Sequence, residues 1–230
     1  MKTLGNTASL LALLALAGTA FAGDTHPASG PPATATVPGK PDALSSTTAL
    51  AIGQAAPMRE IRMMSVDGHE LSIADVAGKK GTLVIFMCNH CPWVKMWQGR
   101  IARIGNDALG RGVGVIAVNA NDPAAYPEDD FDNMKTRAKD LGFKFPYVVD
   151  ATSDLARAFG AARTPEAYLF DAKGKLVYHG AVDDNAREEK SVQSPWLQQA
   201  VTAVAAGKAV ATGETKGFGC GIKFRAKSEI

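Results

Sequence analysis

The sequence predicts an α/β domain with a central mixed β-sheet flanked by helices. Three observations carry that reading. Two short apolar runs, Thr82 to Met87 and Val113 to Val118, have the profile of strands buried on both faces. Between them, apolar residues recur every three or four positions, as on a helix with one buried face. Further on, two strand-like segments flank a turn. Strands alternating with helices argue for a sheet covered on both sides.

Each element follows in order. Gly78-Lys79-Lys80-Gly81 bounds the first strand on its left. Val94, Trp97, Ile101, Ile104 and Ala108 mark the buried face of the first helix, which Gly110 and Gly112 end. After the second strand, Asn119 to Pro127 reads as a loop. Asp132 to Leu141 reads as a helix stopped by Gly142. Pro146 to Val149 is a short extended piece. Ser153 to Phe159 is a short helix capped by Ser153 or Thr152. Ala167 to Phe170, the turn Asp171 to Gly174, and Lys175 to His179 make a hairpin. Trp196 to Ala206 is an amphipathic last helix, and no internal repeat is found.

The flanks have a different character. Residues 1–22 have the parts of a cleavable signal peptide: Lys2, the apolar run Leu10 to Ala17, and Ala20-Phe21-Ala22 ahead of Gly23. That run is too short to span a bilayer, which needs roughly 20 apolar residues. The expectation is a periplasmic or otherwise exported protein with no transmembrane segment in the mature chain. Residues 23–50, rich in Pro, Ala and Thr, read as a flexible linker. Residues 51–230 remain as one domain, large enough for a single core. The formal net charge is +2, which gives no case for nucleic acid as a partner. Lys216, Lys223, Arg225 and Lys227, and the acidic stretch from Glu128 to Asp132, read as solvated charge.

The chain has three cysteines, Cys88, Cys91 and Cys220. Exported compartments permit disulfides. One pair at C-x-x-C spacing with one cysteine left over points to chemistry or metal rather than to framework bridges. Cys88-Asn89-His90-Cys91 sits where the first strand feeds the helix. There the first thiol would meet unpaired backbone N–H groups and the positive end of the helix dipole, which favour thiolate. On this reading Cys88 attacks, and Cys91, further into the helix, resolves the mixed disulfide. His90 would stabilise thiolate further and raise the reduction potential, or else it is a solvated loop residue. A purely structural bridge has a weak motive, because so small a ring removes little chain entropy. A metal reading uses Cys88, Cys91 and His90, with Met87 or His179, as soft ligands for copper(I). The spacing does not suit a closed zinc site.

The buried strand, the C-x-x-C and the later Arg163-Thr164-Pro165 before Ala167 to Asp171 resemble the thioredoxin-like fold. The chain from about residue 51 onward is similar to peroxiredoxin-like thioredoxin family proteins, the redoxins with a Cys-Asn-His-Cys-Pro motif. The similarity rests on Ile52 to Pro57, Cys88 to Lys95, Asn121-Asp122-Pro123, Tyr126 to Asp129, Val177 to Gly180, Asp183 to Asn185 and Gly219 to Lys223. The resemblance implies a thiol–disulfide oxidoreductase working through Cys88 and Cys91 without a cofactor. Its partners would be protein thiol or disulfide substrates, or a redox partner protein. It also implies a cis peptide between Thr164 and Pro165 beside the dithiol, with the Thr164 backbone open to an incoming peptide.

Against true peroxiredoxins, Cys91-Pro92 fits, but Cys88 stands in the Thr position, Val84 in the Pro position, and Pro165 near the Arg position. Thr82 stands where thioredoxins carry a buried Asp. Glu166 is a candidate proton acceptor, or a surface-facing strand end. Trp93 suits a docking surface and Trp97 the core. Asp183 and Asp184 suit capping or turns, and His179 a strand position with its ring satisfied. Cys220, among Gly217, Gly219 and Gly221, is either a third thiol brought to the site by a permissive backbone or a small buried residue. The functional readings are therefore an oxidoreductase, a peroxidase, a copper-binding or metallochaperone module using the same thiols, and a non-catalytic interaction module.

Overall fold

The computed structural model describes residues 48–226. The expected signal peptide and most of the expected linker lie outside the described residues. Leu50 already donates its N–H to Phe159 O at 3.0 Å, so the last residues assigned to the linker engage the domain.

Along the chain the elements are β1 (Met63–Ser65), β2 (Glu70–Leu71), β3 (Gly81–Phe86), α1 (Pro92–Gly110), β4 (Val113–Asn119), α2 (Phe131–Asp140), β5 (Tyr147–Val149), α3 (Asp154–Phe159), β6 (Arg163–Thr164), β7 (Glu166–Asp171), β8 (Leu176–Gly180), α4 (Trp196–Ala205) and β9 (Cys220–Gly221). Seven strands form one sheet in the order β2-β1-β5-β4-β3-β7-β8. β3, β4 and β5 run parallel; β1, β2, β7 and β8 join antiparallel, so the sheet is mixed as expected. β6 and β9 make a separate two-stranded ladder.

β3 and β4 are buried along their whole length, which explains their unbroken apolar runs. Leu83 and Ile85 face one side with Val94, Trp97 and Ile101 of α1 and Leu197 and Val201 of α4. Val84 and Phe86 face the other side with Leu155, Phe159 and Tyr168. Each fully buried side chain of this size contributes about 1.5–3 kcal/mol. Together these two layers fix the end of β3, from which the dithiol loop departs.

Two helix starts differ from expectation. Asp130 caps α2, its carboxylate accepting from Asn133 N at 2.8 Å, which moves that helix start one residue back. Ser153 stands at the start of α3 with φ 60°, but its hydroxyl donates to Ala120 O at 2.7 Å instead of capping. The acceptors there are the expected alternative, the Thr152 hydroxyl, which takes Asp154 N–H at 3.3 Å, and the Asp150 carboxylate, which takes Ala156 N–H at 2.9 Å. Among the described residues no helix is long and apolar enough to cross a membrane.

Candidate active site

The loop between β3 and α1 holds Cys88, Asn89, His90 and Cys91. Met87 N–H still donates to Val118 O, so the chain leaves the sheet only at Cys88. Pro92 opens α1, where its fixed φ suits the helix and its missing N–H costs nothing. The expected placement of the thiols is therefore corrected. Cys91 stands at the N-cap position of α1 without a side-chain cap hydrogen bond, and Cys88 lies before it, in the loop just past β3. Both are fully buried.

Thr164 and Pro165 meet the two sulfurs. Their peptide bond is cis, in line with the expectation, and both residues are buried. Thr164 Oγ1 lies 3.2 Å from Cys88 Sγ, and Thr164 O accepts from the Cys91 thiol at 3.2 Å. The expectation of an open Thr164 backbone is overturned. Thr164 pairs antiparallel with Cys220, and Arg163 with Gly221. Gly219 makes this approach possible: a Cβ there would stand 2.2 Å from Thr164 O. The strand sets Cys220 opposite Thr164, which touches both motif sulfurs, so the third cysteine lies beside the site.

The two motif thiols form a tightly coupled buried pair, in which ionising one sulfur holds the other protonated. The neighbouring Cys88 thiol lowers the pKa of Cys91, and burial opposes it. The Cys220 thiol and the N–H groups of Val94 and Cys220 add to the lowering. Contact with Cys91, burial and the nearby Asp129 carboxylate hold Cys88 protonated, far above its ordinary value. Burial, followed by the neighbouring Cys91, pushes Cys220 up to about 11. The thiol that meets the helix start is the second of the motif, not the first, and so the advantage of that position falls to Cys91.

His90 does not bond either sulfur. Its Nδ1 lies 2.5 Å from Asp129 Oδ2, and its ring stacks on Tyr126 with centroids 4.0 Å apart. Asp129, expected to be solvated, is buried and organises the loop. Its carboxylate accepts from Asn89 N, His90 N at 3.0 Å and Asn121 Nδ2 at 2.8 Å. Tyr147 OH donates to Asn89 Oδ1, and Arg137 to Asn89 O. Ligand atoms of Cys88, His90 and Asp129 lie within 4.8 Å of one another. That group differs from the expected set of Cys88, Cys91 and His90, since Asp129 stands in place of Cys91, and its His and Asp are already hydrogen-bonded together.

Other expectations are corrected by burial. Glu166 is not a surface strand end. It is buried, accepts from Ala162 N and Arg163 N, and pairs with His179 Nε2 at 2.7 Å. Asp183 is likewise no simple turn residue: it receives Trp97 Nε1 at 2.8 Å and the Arg100 guanidinium in the core beneath α1. Trp97 is core as expected. Trp93, half-buried, stacks between Trp97 and Phe218 of the C-terminal segment. Asn121 and Asp129 fall in blocks that carry the family similarity, but neither their burial nor that of Arg100 left a sequence signal, because a charged or amide residue in a polar stretch looks the same whether buried or exposed.

A mixed sheet, a thiol at the start of the helix that follows a central strand, and a cis-proline loop beside it define a thioredoxin-fold thiol protein. Residues 51–194 match the Redoxin family, and the chain belongs to it. An uncharacterized conserved protein from Geobacillus kaustophilus is 36% identical with a TM-score of 0.72, covering 79% of this chain and 96% of that one. A thioredoxin-like protein solved in the oxidized form shares the fold at 21% identity and a TM-score of 0.57, covering 69% of this chain and 99% of that one. The thiol-disulfide oxidoreductase ResA of Geobacillus thermodenitrificans (strain NG80-2) is 27% identical over 132 residues, 56% of this chain and 68% of the relative.

Proposed function

We propose that the chain is an exported thiol–disulfide oxidoreductase acting through Cys88 and Cys91, with Cys91 as the attacking thiol. The observation that carries this is the Cys91 sulfur at the N-cap of α1, 3.2 Å from Thr164 O of the cis-Pro loop, with Cys88 beside it on Thr164 Oγ1. The relationship to a named thiol–disulfide oxidoreductase supports it. The Cys91 thiolate attacks one sulfur of a substrate disulfide, forming a mixed disulfide and releasing one substrate thiolate. A second protein thiol then attacks Cys91 Sγ and releases the other. The protein becomes the disulfide, and the substrate leaves as two thiols. Cys88, in contact with Cys91, is the partner thiol the motif provides.

Residues 1–22 as signal peptide and 23–50 as linker complete the proposal and place the reaction in a disulfide-permissive compartment. A peroxidase gains no comparable support: among the described residues no arginine hydrogen-bonds either sulfur of the motif. Alkylation of the reduced protein from pH 3 to 9, with peptide mapping, tests the assignment. Cys91 is expected to titrate far below the free value of about 8.5. A faster-reacting Cys88, or an unshifted Cys91, would refute it.

A further inference from the structure

Thiol–disulfide exchange needs a sulfur that a second sulfur can reach. Cys88 and Cys91 offer none, because both are without exposure. The loop between β3 and α1 and the Thr164-Pro165 bend hold them from within the domain, and the far end of the chain completes the cover. Cys220 and Trp93 pack against the core cluster that contains both thiols, and Phe218 stacks on Trp93. Thr164, which touches both sulfurs, pairs with Cys220. Gly219 lets the backbone lie this close: its φ is 154°, and a Cβ there would stand 2.2 Å from Thr164 O, the acceptor of the Cys91 thiol.

The segment is fastened on both sides of the site. Upstream, His179 N–H donates to Gly213 O at 2.9 Å, and Thr215 N–H to His179 O at 3.0 Å. Downstream, Ile222 N–H donates to Ala162 O at 3.0 Å, Lys223 N–H to Asn121 Oδ1 at 2.9 Å and Arg225 N–H to Ser153 Oγ at 2.9 Å. The stretch between these anchors is thin. No residue from 211 to 221 is buried, and Ile222 alone is buried among residues 211–226. A stretch with so little buried apolar surface opens at a lower free energy than the core strands beneath it.

We infer that residues 216–222 are a strap that shuts the dithiol, and that a protein substrate enters by displacing the strap from Thr164. This rests on the reading that Cys88 and Cys91 carry the exchange, and not on which of them attacks. The backbone edge that the strap releases is of the kind to which an extended peptide adds as a further strand. Its occupant is an extended segment of the substrate that carries a cysteine; in the closed form the chain's own Gly219, Cys220 and Gly221 take that place. Closed, the strap keeps stray disulfides from both thiols. Open, it presents the sulfurs and the strand edge together, so access and recognition are gained in one movement.

The test labels full-length reduced protein with iodoacetamide in graded urea below the unfolding transition, and maps Cys88 and Cys91 by mass spectrometry. Labelling through the strap should depend on urea far more weakly than global unfolding does, because lifting a few residues exposes little surface. Gly219→Ala forces the strap off Thr164, and Ile222→Ala removes its buried anchor; each should speed labelling by roughly tenfold or more. Hydrogen exchange at Ile222 N–H, which does not depend on thiol ionisation, should quicken in Gly219→Ala as well. Labelling that follows the full unfolding slope would overturn the inference. So would folded variants labelled at the wild-type rate, with Ile222→Ala deciding if Gly219→Ala does not fold. Faster labelling of the variants with no mixed disulfide formed from oxidised glutathione would uphold the strap and bring down the oxidoreductase reading. A mixed disulfide formed at equal rates in wild type and variants would do the reverse.

Discussion

Replacing Asp129 by alanine tests whether a buried carboxylate, and not the motif alone, shapes the reactive loop. The side chain has no exposure, and its two oxygens receive the backbone N–H groups of Asn89 and His90, the His90 ring and the Asn121 amide. Alanine leaves all four without their acceptor. The His90 ring is near enough to the surface to find water; the two backbone N–H groups and the amide are deeper. An orphaned buried donor costs about 1–3 kcal/mol, so a loss of about 3–5 kcal/mol is expected. At about 2–4 °C per kcal/mol for a domain of this size, the melting temperature should fall by about 6–20 °C. Urea unfolding followed by circular dichroism, with the slope unchanged, measures the loss. A second readout separates this from generic damage. The Asp129 charge is one cause of the raised Cys88 pKa, so Cys88 should ionise at lower pH in Asp129→Ala. A loss below about 1 kcal/mol, well under the cost of the orphaned donors, would refute the account of Asp129 as the hub; an unmoved Cys88 would refute it independently.

The reduced protein should also show a pH-dependent stability that the oxidised protein lacks. Cys91 has a folded pKa lowered to about 4 against about 8.5 unfolded. Its contribution is therefore fully present above pH about 8.5 and disappears as pH falls through about 4. Denaturant titration of both redox forms between these limits checks the sign; a reduced-minus-oxidised difference that grows toward acid would contradict it. Asp183→Ala strands the buried Arg100 guanidinium and should cost about 3–5 kcal/mol by the same unfolding assay. Gly105→Ala places a Cβ 2.4 Å from the Phe145 ring and should cost about 1–3 kcal/mol despite alanine's better helix propensity. Thr164→Val removes the hydroxyl that lowers the Cys88 pKa, so Cys88 alkylation should require still higher pH, at a stability cost of about 1 kcal/mol.

The central elements were legible because burial on both faces writes itself into the sequence. The unbroken apolar runs of β3 and β4 and the three-to-four spacing of Val94, Trp97 and Ile101 have no other economical explanation. The short edge pieces β1 and β2, and the β6–β9 ladder, were not found. Two or three residues set no period, and partners dozens of positions apart leave no local mark. The site was legible as a list of residues but not as a set of roles. A motif of four residues does not say where the helix begins, and a single residue's shift of that start decides which sulfur meets the N–H groups. Glu166, Asp129 and Asp183 were misjudged for a shared reason: their partners come from other segments, and only those partners make burial of a carboxylate tolerable.

The pairing of Thr164 with Cys220 also has a chronology. A chain is made from its N-terminus, so its thiols are added in the order Cys88, Cys91, Cys220. Cys88 and Cys91 can find each other while the rest of the polypeptide is still being synthesised, and the two pairings that involve Cys220 have to wait for the last strand to arrive. The first disulfide open to a newborn molecule is therefore the one within the motif. The redox history of the chain begins with two sulfurs and acquires its third only when folding ends.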